Sequence, residues 1–261
     1  MNFETLTVEI NGPIGRLILN RPERLNAMNP TMLRELAEAA RWFDSQPDMR
    51  VVIVSGAGRA FSAGADLKEA PSRESKSSWQ AYREAARAGS RMIDAIDAMR
   101  AITIASVHGY AVGGAVLLMA ACDLRIAAED AIFSIPEVAI GIPLTWGGIP
   151  LLMREIGPAM TKELVMTCRQ FSPQEAKAMG FVNRVVAREE LDQQTLKLAE
   201  EITAMPAVPV AITKEHVNAV SRTMSGQTSY ADGDVLLGAL ASPEAARARK
   251  AYMEQRLKPK D

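Results

Sequence analysis

The chain opens on alternation. Thr5-Leu6-Thr7-Val8-Glu9-Ile10 puts an apolar side chain at every second position, the period of a half-buried strand. Asn11-Gly12-Pro13 supplies turn residues, and residues 14–19 read as the hairpin partner. Beyond Asn20-Arg21-Pro22 the period changes. Asn29 and Pro30 suit a helix N-cap and first position, and Met32, Leu33, Leu36, Ala40 and Phe43 recur at helical spacing. Val51-Val52-Ile53-Val54-Ser55 is a short apolar run, the mark of a strand covered on both faces. The theme then repeats. The pattern predicts a helix over 78–99, a buried strand over 102–107, a helix over 115–121 opened by Gly113-Gly114, and a strand over 123–127. A Gly/Pro-rich loop at 141–150 precedes helices at 151–156 and 158–167. Ser172 caps a short helix, residues 181–186 read as a strand, and from Leu191 the pattern is helical to the end. Buried strands alternating with helices predict an α/β fold.

Length and charge narrow the possibilities. The 261 residues suit one large domain or two unequal ones. Thirty Lys+Arg against 31 Asp+Glu leave a net charge of −1, so no global field favours nucleic acid or an anionic membrane. Cys122 and Cys168 are too few for a disulfide scaffold; free thiols suit a reducing, cytoplasmic setting. The only histidines are His108 and His216, and neither HExxH nor CxxC occurs, so no metal site is expected. Residues 1–10 lack a basic stretch followed by an apolar run, so no signal peptide is expected. Residues 101–122 carry no Asp, Glu, Lys or Arg, a length that would span a bilayer. Thr103, Ser106, His108 and the glycines at 109, 113 and 114 fit a buried strand, turn and helix better.

GxSxG, GxxxxGK[ST] and a strand-linked GxGxxG are all missing, which weakens hydrolase, P-loop and dinucleotide readings. Two glycine-bearing loops remain, each after a buried strand: residues 56–68 and residues 108–115. Small residues let a ligand approach the backbone. The second loop opens a helix, whose free N–H groups and dipole favour an anion. Two N–H donors converging on one point would make an oxyanion hole.

The order of the motifs is more specific than either loop alone. Asn20-Arg21-Pro22-Glu23-Arg24-Leu25-Asn26-Ala27, then Ala60-Phe61-Ser62-Ala63-Gly64-Ala65-Asp66-Leu67-Lys68, then Gly109-Tyr110-Ala111-Val112-Gly113-Gly114, Pro136-Glu137 and residues 176–186 resemble the enoyl-CoA hydratase/isomerase (crotonase) superfamily over residues 5–258. The resemblance implies a crotonase-like spiral of ββα units, residues 1–195, followed by a C-terminal helical trimerisation region, residues 196–261. It implies an acyl-CoA substrate, with coenzyme A brought in as part of the thioester rather than held permanently. The thioester oxygen would sit between the N–H groups of Ala65 and Gly114, and Glu137 would be the catalytic carboxylate. Coenzyme A contacts would come from Arg24, Leu25, Ala27, Ala63, Asp66, Leu67 and Lys68, with Arg59 a further phosphate contact. A homotrimer or a dimer of trimers is implied, with Ile202, Val210, Ile212, Leu236, Leu237 and Tyr252 buried against neighbouring subunits.

One departure matters. Two-carboxylate hydratases of the family carry a glutamate on the helix after the Gly-Gly pair; here that position is Leu117. Leucine accepts no proton, so Glu137 would act alone or with water, its pKa raised by apolar neighbours. A single-glutamate hydratase-type lyase is the leading expectation. A double-bond isomerase stays open, although Thr145 and Trp146 stand where family isomerases often place an acid and read as pocket wall, Trp146 stacking on an unsaturated acyl group. A catalytically reduced CoA-binding homologue also stays open. So does an RNA-binding one, since Arg83, Arg87 and Arg91 make a basic stripe, though Glu84 interleaves it.

Overall fold

A computed structural model describes residues 1–69, 77–223 and 230–257. In chain order its elements are β1 (Leu6–Asn11), β2 (Ile14–Leu19), α1 (Pro30–Asp44), β3 (Val51–Gly56), α2 (Trp79–Ala86), α3 (Ala88–Asp97), β4 (Ile102–Val107), β5 (Tyr110–Val112), α4 (Gly114–Ala121), β6 (Leu124–Ala128) and β7 (Ile132–Ser134). Then come α5 (Gly148–Thr167), α6 (Pro173–Ala178), β8 (Arg184–Val186), α7 (Leu191–Ala204), α8 (Ala207–Thr223), α9 (Asp232–Leu240) and α10 (Pro243–Leu257). The helical reading of the C-terminal part falls outside the described residues at 224–229 and 258–261.

The main sheet runs β1-β2-β3-β4-β6-β8, antiparallel at the first hairpin and parallel thereafter. Its apolar runs are explained by two cores. Val52, Val54, Ala105 and Val107 face the larger core with α1, α3 and α4, whereas Val51, Ile53, Ile102 and Ile104 face the smaller one with α7. With neighbours on both faces, alternation has no reason to appear in the sequence. The same burial settles the uncharged stretch at 101–122: it is β4, β5 and α4, and among the described residues no helix is long and apolar enough to cross a membrane.

Several elements differ from the sequence reading. The helix predicted over 78–99 is two, broken at Arg87, so the arginine stripe is divided. Arg83 pairs with Asp234 at 2.6 Å and Arg91 with Glu84 at 2.5 Å, which ties two of the three charges to this chain's own acids. β5 and β7 were not expected; they pair in a small second sheet, and three residues each are too few to display a period. The strand predicted over 181–186 is confined to Arg184–Val186. Residues 181 and 182 instead bond back to Ala176 at the end of α6. The two helices expected at 151–167 are joined as α5, kinked at Gly157 before Pro158.

The C-terminal helices depart most. The boundary expected after residue 195 falls inside α7, whose Leu191, Thr195 and Ala199 pack onto the sheet. Ser106 and Thr195 share a 3.1 Å hydrogen bond across that junction. Ile202 and Val210 are partly buried against the smaller core. Leu236 and Leu237 of α9 turn inward onto a cavity of their own chain, where α9 lies against α2, and Leu237 is buried. Of the six positions expected to meet other subunits, Ile212 stays 56% exposed.

Candidate active site

The two glycine loops are brought together by backbone pairing. Ser62 N–H donates to Tyr110 O at 2.9 Å and Val112 N–H to Ser62 O at 3.1 Å, which zips the first loop onto β5. Approach is close: a Cβ at Gly64 would lie 2.3 Å from Val112 O and 3.5 Å from Gly114 N. Residues 25–28 run along the other side. Ala63 N–H donates to Leu25 O and Asp66 N–H to Met28 O. The buried Asn26 amide donates to the carbonyls of Ala57, Ala60 and Phe61. Asn26 and Arg21 belong to the first sequence motif, which assigns neither a role of its own. Arg21 pairs with Asp66 at 3.0 Å and with Glu69 at 2.8 Å, so Asp66 shapes the loop rather than offering a free carboxylate.

Among the described residues, neither the Ala65 nor the Gly114 amide donates to a protein acceptor, and both residues line one cavity. Gly114 is the first residue of α4, where N–H groups have no intrahelical partner. The cavity has a volume of about 730 Å³ and also takes in Asp66, Leu67, Leu117, Glu137, Thr145 and Trp146. Arg24, Leu25, Ala27, Ala63, Lys68 and Arg59 do not line it. Arg24, Arg59 and Lys68 are exposed and make no ion pair among the described residues. Walls contributed by Trp79 and Tyr82 of α2, Leu236, Leu237 and Leu240 of α9, and Arg249 of α10 were not foreseen. Their helical periodicity was readable, but not which cavity they would close.

Glu137 follows β7 and Pro136, and its loop is held by Ile140 and Ile142 N–H groups donating back to its carbonyl at 3.1 and 3.0 Å. Its carboxylate lies over Gly113: a Cβ there would sit 2.6 Å from Oε1. Gly113 has φ 56°, a left-handed conformation that glycine adopts freely, so both the turn and the clearance call for it. The residue as a whole is half-buried, yet Oε2 is sealed from water and has no hydrogen-bond partner. Burial pushes its pKa up to about 7, against the opposing pull of a hydrogen bond from its own backbone amide. Across from it, Leu117 is 1% exposed and presents only methyl groups. A carboxyl with a near-neutral pKa, in an apolar cavity beside two free amides, has what proton transfer to and from a forming oxyanion requires.

Comparison with known proteins places the chain in a family. Residues 9–260 match the family model described as enoyl-CoA hydratase/isomerase. The chain belongs to the enoyl-CoA hydratase/isomerase family. It is 33% identical over 256 residues to a probable enoyl-CoA hydratase, echA8, of Mycobacterium bovis, covering 98% of this chain and 97% of that one. It is 36% identical over 221 residues to a peroxisomal Delta(3,5)-Delta(2,4)-dienoyl-CoA isomerase of Arabidopsis thaliana, covering 81% and 80%. The crystal structure of an enoyl-CoA hydratase/isomerase from Xanthobacter autotrophicus Py2 superposes with a TM-score of 0.86 at 30% identity, over 99% of this chain and 100% of that one. Within the enoyl-CoA hydratase/isomerase family, the resemblance read from the motifs and the crotonase fold therefore hold. Among the described residues no cluster of three metal-ligating side chains occurs.

Proposed function

We propose that this enzyme adds water across the double bond of a 2-enoyl-CoA, with Glu137 as its only proton carrier. The observation that carries the reading is the Glu137 carboxyl: sealed, unpartnered at Oε2 and poised near neutrality beside the Ala65 and Gly114 amides. The Glu137 carboxylate takes a proton from water as the water oxygen bonds to C3. The π electrons move onto the thioester oxygen, where the Ala65 and Gly114 N–H groups hold the charge. Losing one such donor typically costs about 3–4 kcal/mol of barrier. Glu137 then returns its proton to C2, and the enolate collapses to the 3-hydroxyacyl thioester. Coenzyme A enters and leaves as part of the substrate.

Arg24, Leu25, Ala27, Ala63, Asp66, Leu67 and Lys68 take the coenzyme A portion along the paired 25–28 and 63–66 segments, with Arg24, Lys68 and Arg59 toward its phosphates. The chain acts in the cytoplasm as a homotrimer or dimer of trimers. Val208, Ile212, Val217 and Val220 of α8 are each more than half exposed, and this exposed apolar surface supports association. Sedimentation as a stable monomer at micromolar concentration would remove the assembly.

A second reading is supported by Leu117. With methyls where a second carboxylate would hold water, Glu137 could instead carry a proton between C2 and C4 and shift the bond. Incubation with a panel of enoyl-CoAs in heavy-oxygen water separates the two. Hydration places the label in the product; isomerisation moves the bond and takes up none.

A further inference from the structure

We propose that Trp146 is the residue that selects the acyl group, by narrowing the cavity at the carbons next to the thioester, and that Gly89 and Asp232 hold it in place. This rests on the acyl-CoA reading of the cavity.

Three independent features converge on this side chain. Trp146 has φ 61°, a left-handed conformation that a bulky residue rarely adopts, and Gly147 after it is left-handed as well. Strain of this kind persists where the surroundings over-determine it. Its indole occupies a slot between two helices. A Cβ on Gly89 would come within 2.2 Å of Cε2, Cδ2 and Nε1, and one on Gly114 within 2.3 Å of Cζ3. Neither glycine has a positive φ, so neither is required by its backbone conformation. Gly89 lies inside α3, where glycine is a poor helix former. Space for the indole accounts for its presence. Finally, Asp232 at the start of α9 accepts a hydrogen bond from Gly147 N–H at 2.8 Å, fastening the turn from the cavity's far wall.

The benzo edge rests on Gly114, the residue whose free amide faces the thioester oxygen. The first acyl carbons must therefore pass along a flat aromatic surface. A planar, unbranched 2-enoyl segment fits there, and a methyl branch at C3 meets the ring. Side chains of α2 and α9 line the same cavity, so the ring meets the carbons next to the thioester and the rest of the chain runs along those helices.

The test compares kcat/KM for straight-chain and 3-methyl-branched 2-enoyl-CoAs of equal carbon number. The wild type should favour the straight chain. Trp146→Leu should move the ratio toward the branched substrate by about tenfold or more, the order of discrimination that one methyl group gives in an apolar pocket. Gly89→Ala should move the ratio as well, because its Cβ would fall on the indole and displace the ring, while alanine favours the helix. Asp232→Ala should do likewise to a smaller extent. A melting curve confirms folding, and Gly89→Ala stands in if Trp146→Leu does not fold. Folded variants that lose rate equally on both substrates, with the ratio unmoved, would overturn the proposal and leave Trp146 as packing. If the wild type turns over no enoyl-CoA, the reaction reading fails instead. Calorimetric binding of saturated straight and branched acyl-CoAs then reads the same ratio, and an unshifted ratio there also rejects the selector.

Discussion

Two glutamates withdrawn from water show how differently one side chain is used in two regions of this molecule. Glu35 on α1 is 5% exposed and fully partnered. It accepts from Glu4 N–H and Thr5 N–H at 2.9 Å each and from the Thr5 hydroxyl at 2.6 Å. Burial raises its pKa, but those three donors, with the nearby Arg34 charge, outweigh burial and leave it below the ordinary carboxylate range. Glu137 has the burial without the donors. Its Oε2 is unpartnered and its pKa rises to about 7. Glu35 fastens the start of β1 to a helix; Glu137 holds a proton that can move. Hydrogen-bond supply, not burial, separates a structural carboxylate from a chemical one here.

The largest break in that comparison is Glu137→Gln. Turnover should fall by about 10²–10⁴-fold, because an amide exchanges no proton at neutral pH, while coenzyme A binding stays near wild type. Steady-state kinetics beside calorimetry with free coenzyme A would check both halves. In the wild type, kcat/KM should rise with pH through about 7 and then level off, since the carboxylate form accepts the proton.

Next comes stability. With the folded pKa of Glu137 raised, the unfolded chain ionises first as pH climbs from about 4.5 to about 7. The folded state holds the extra proton in that window, so stability falls there and is flat above it. Glu137→Gln removes the burden. Denaturant unfolding should therefore show the variant gaining on the wild type between pH 5 and pH 8, by up to about 3 kcal/mol. Equal stability at pH 8 would mean that water reaches the carboxyl.

Glu35→Gln should do the reverse: activity per folded molecule unchanged, stability lower by about 1–3 kcal/mol as three donors lose a charged acceptor. Glu35 has a lowered pKa, so its contribution is present above the ordinary carboxylate range and disappears as pH falls through the lowered value. The variant should lose part of the wild type's steepness in acid unfolding.

The smallest effect is expected from Leu117→Glu, which sharpens the comparison by adding a second acid to the cavity. Hydration of crotonyl-CoA should rise, by about tenfold if the new carboxylate lowers the barrier by about 1.4 kcal/mol while holding the attacking water. Melting should occur earlier, since an unpartnered polar group in an apolar wall costs about 1–3 kcal/mol. A folded variant with no gain on any enoyl-CoA would favour the isomerase.

The strands and helices of the core, the two glycine loops, Pro136-Glu137 and the absence of an acid at Leu117 were all legible in the chain. Each depends on neighbours a few residues away: a turn needs its glycine, a buried strand its apolar run, a helix start its cap. Other features depend on what folds back from far along the chain. β5 and β7 find each other across twenty residues and are too short to carry a period. Leu236 and Leu237 show the same apolar helical pattern whatever they cover, and their place at the cavity comes from the docking of α9 on α2. Glu137 and Glu35 are the same residue in sequence; three donors from the approach to β1 reach one and none but its own amide reaches the other. Periodicity and caps are local properties that the amino-acid order determines directly. The pKa of a buried acid, the seat of an indole between two helices and the walls of a cavity are sums over long-range contacts, and only the tertiary structure sets those.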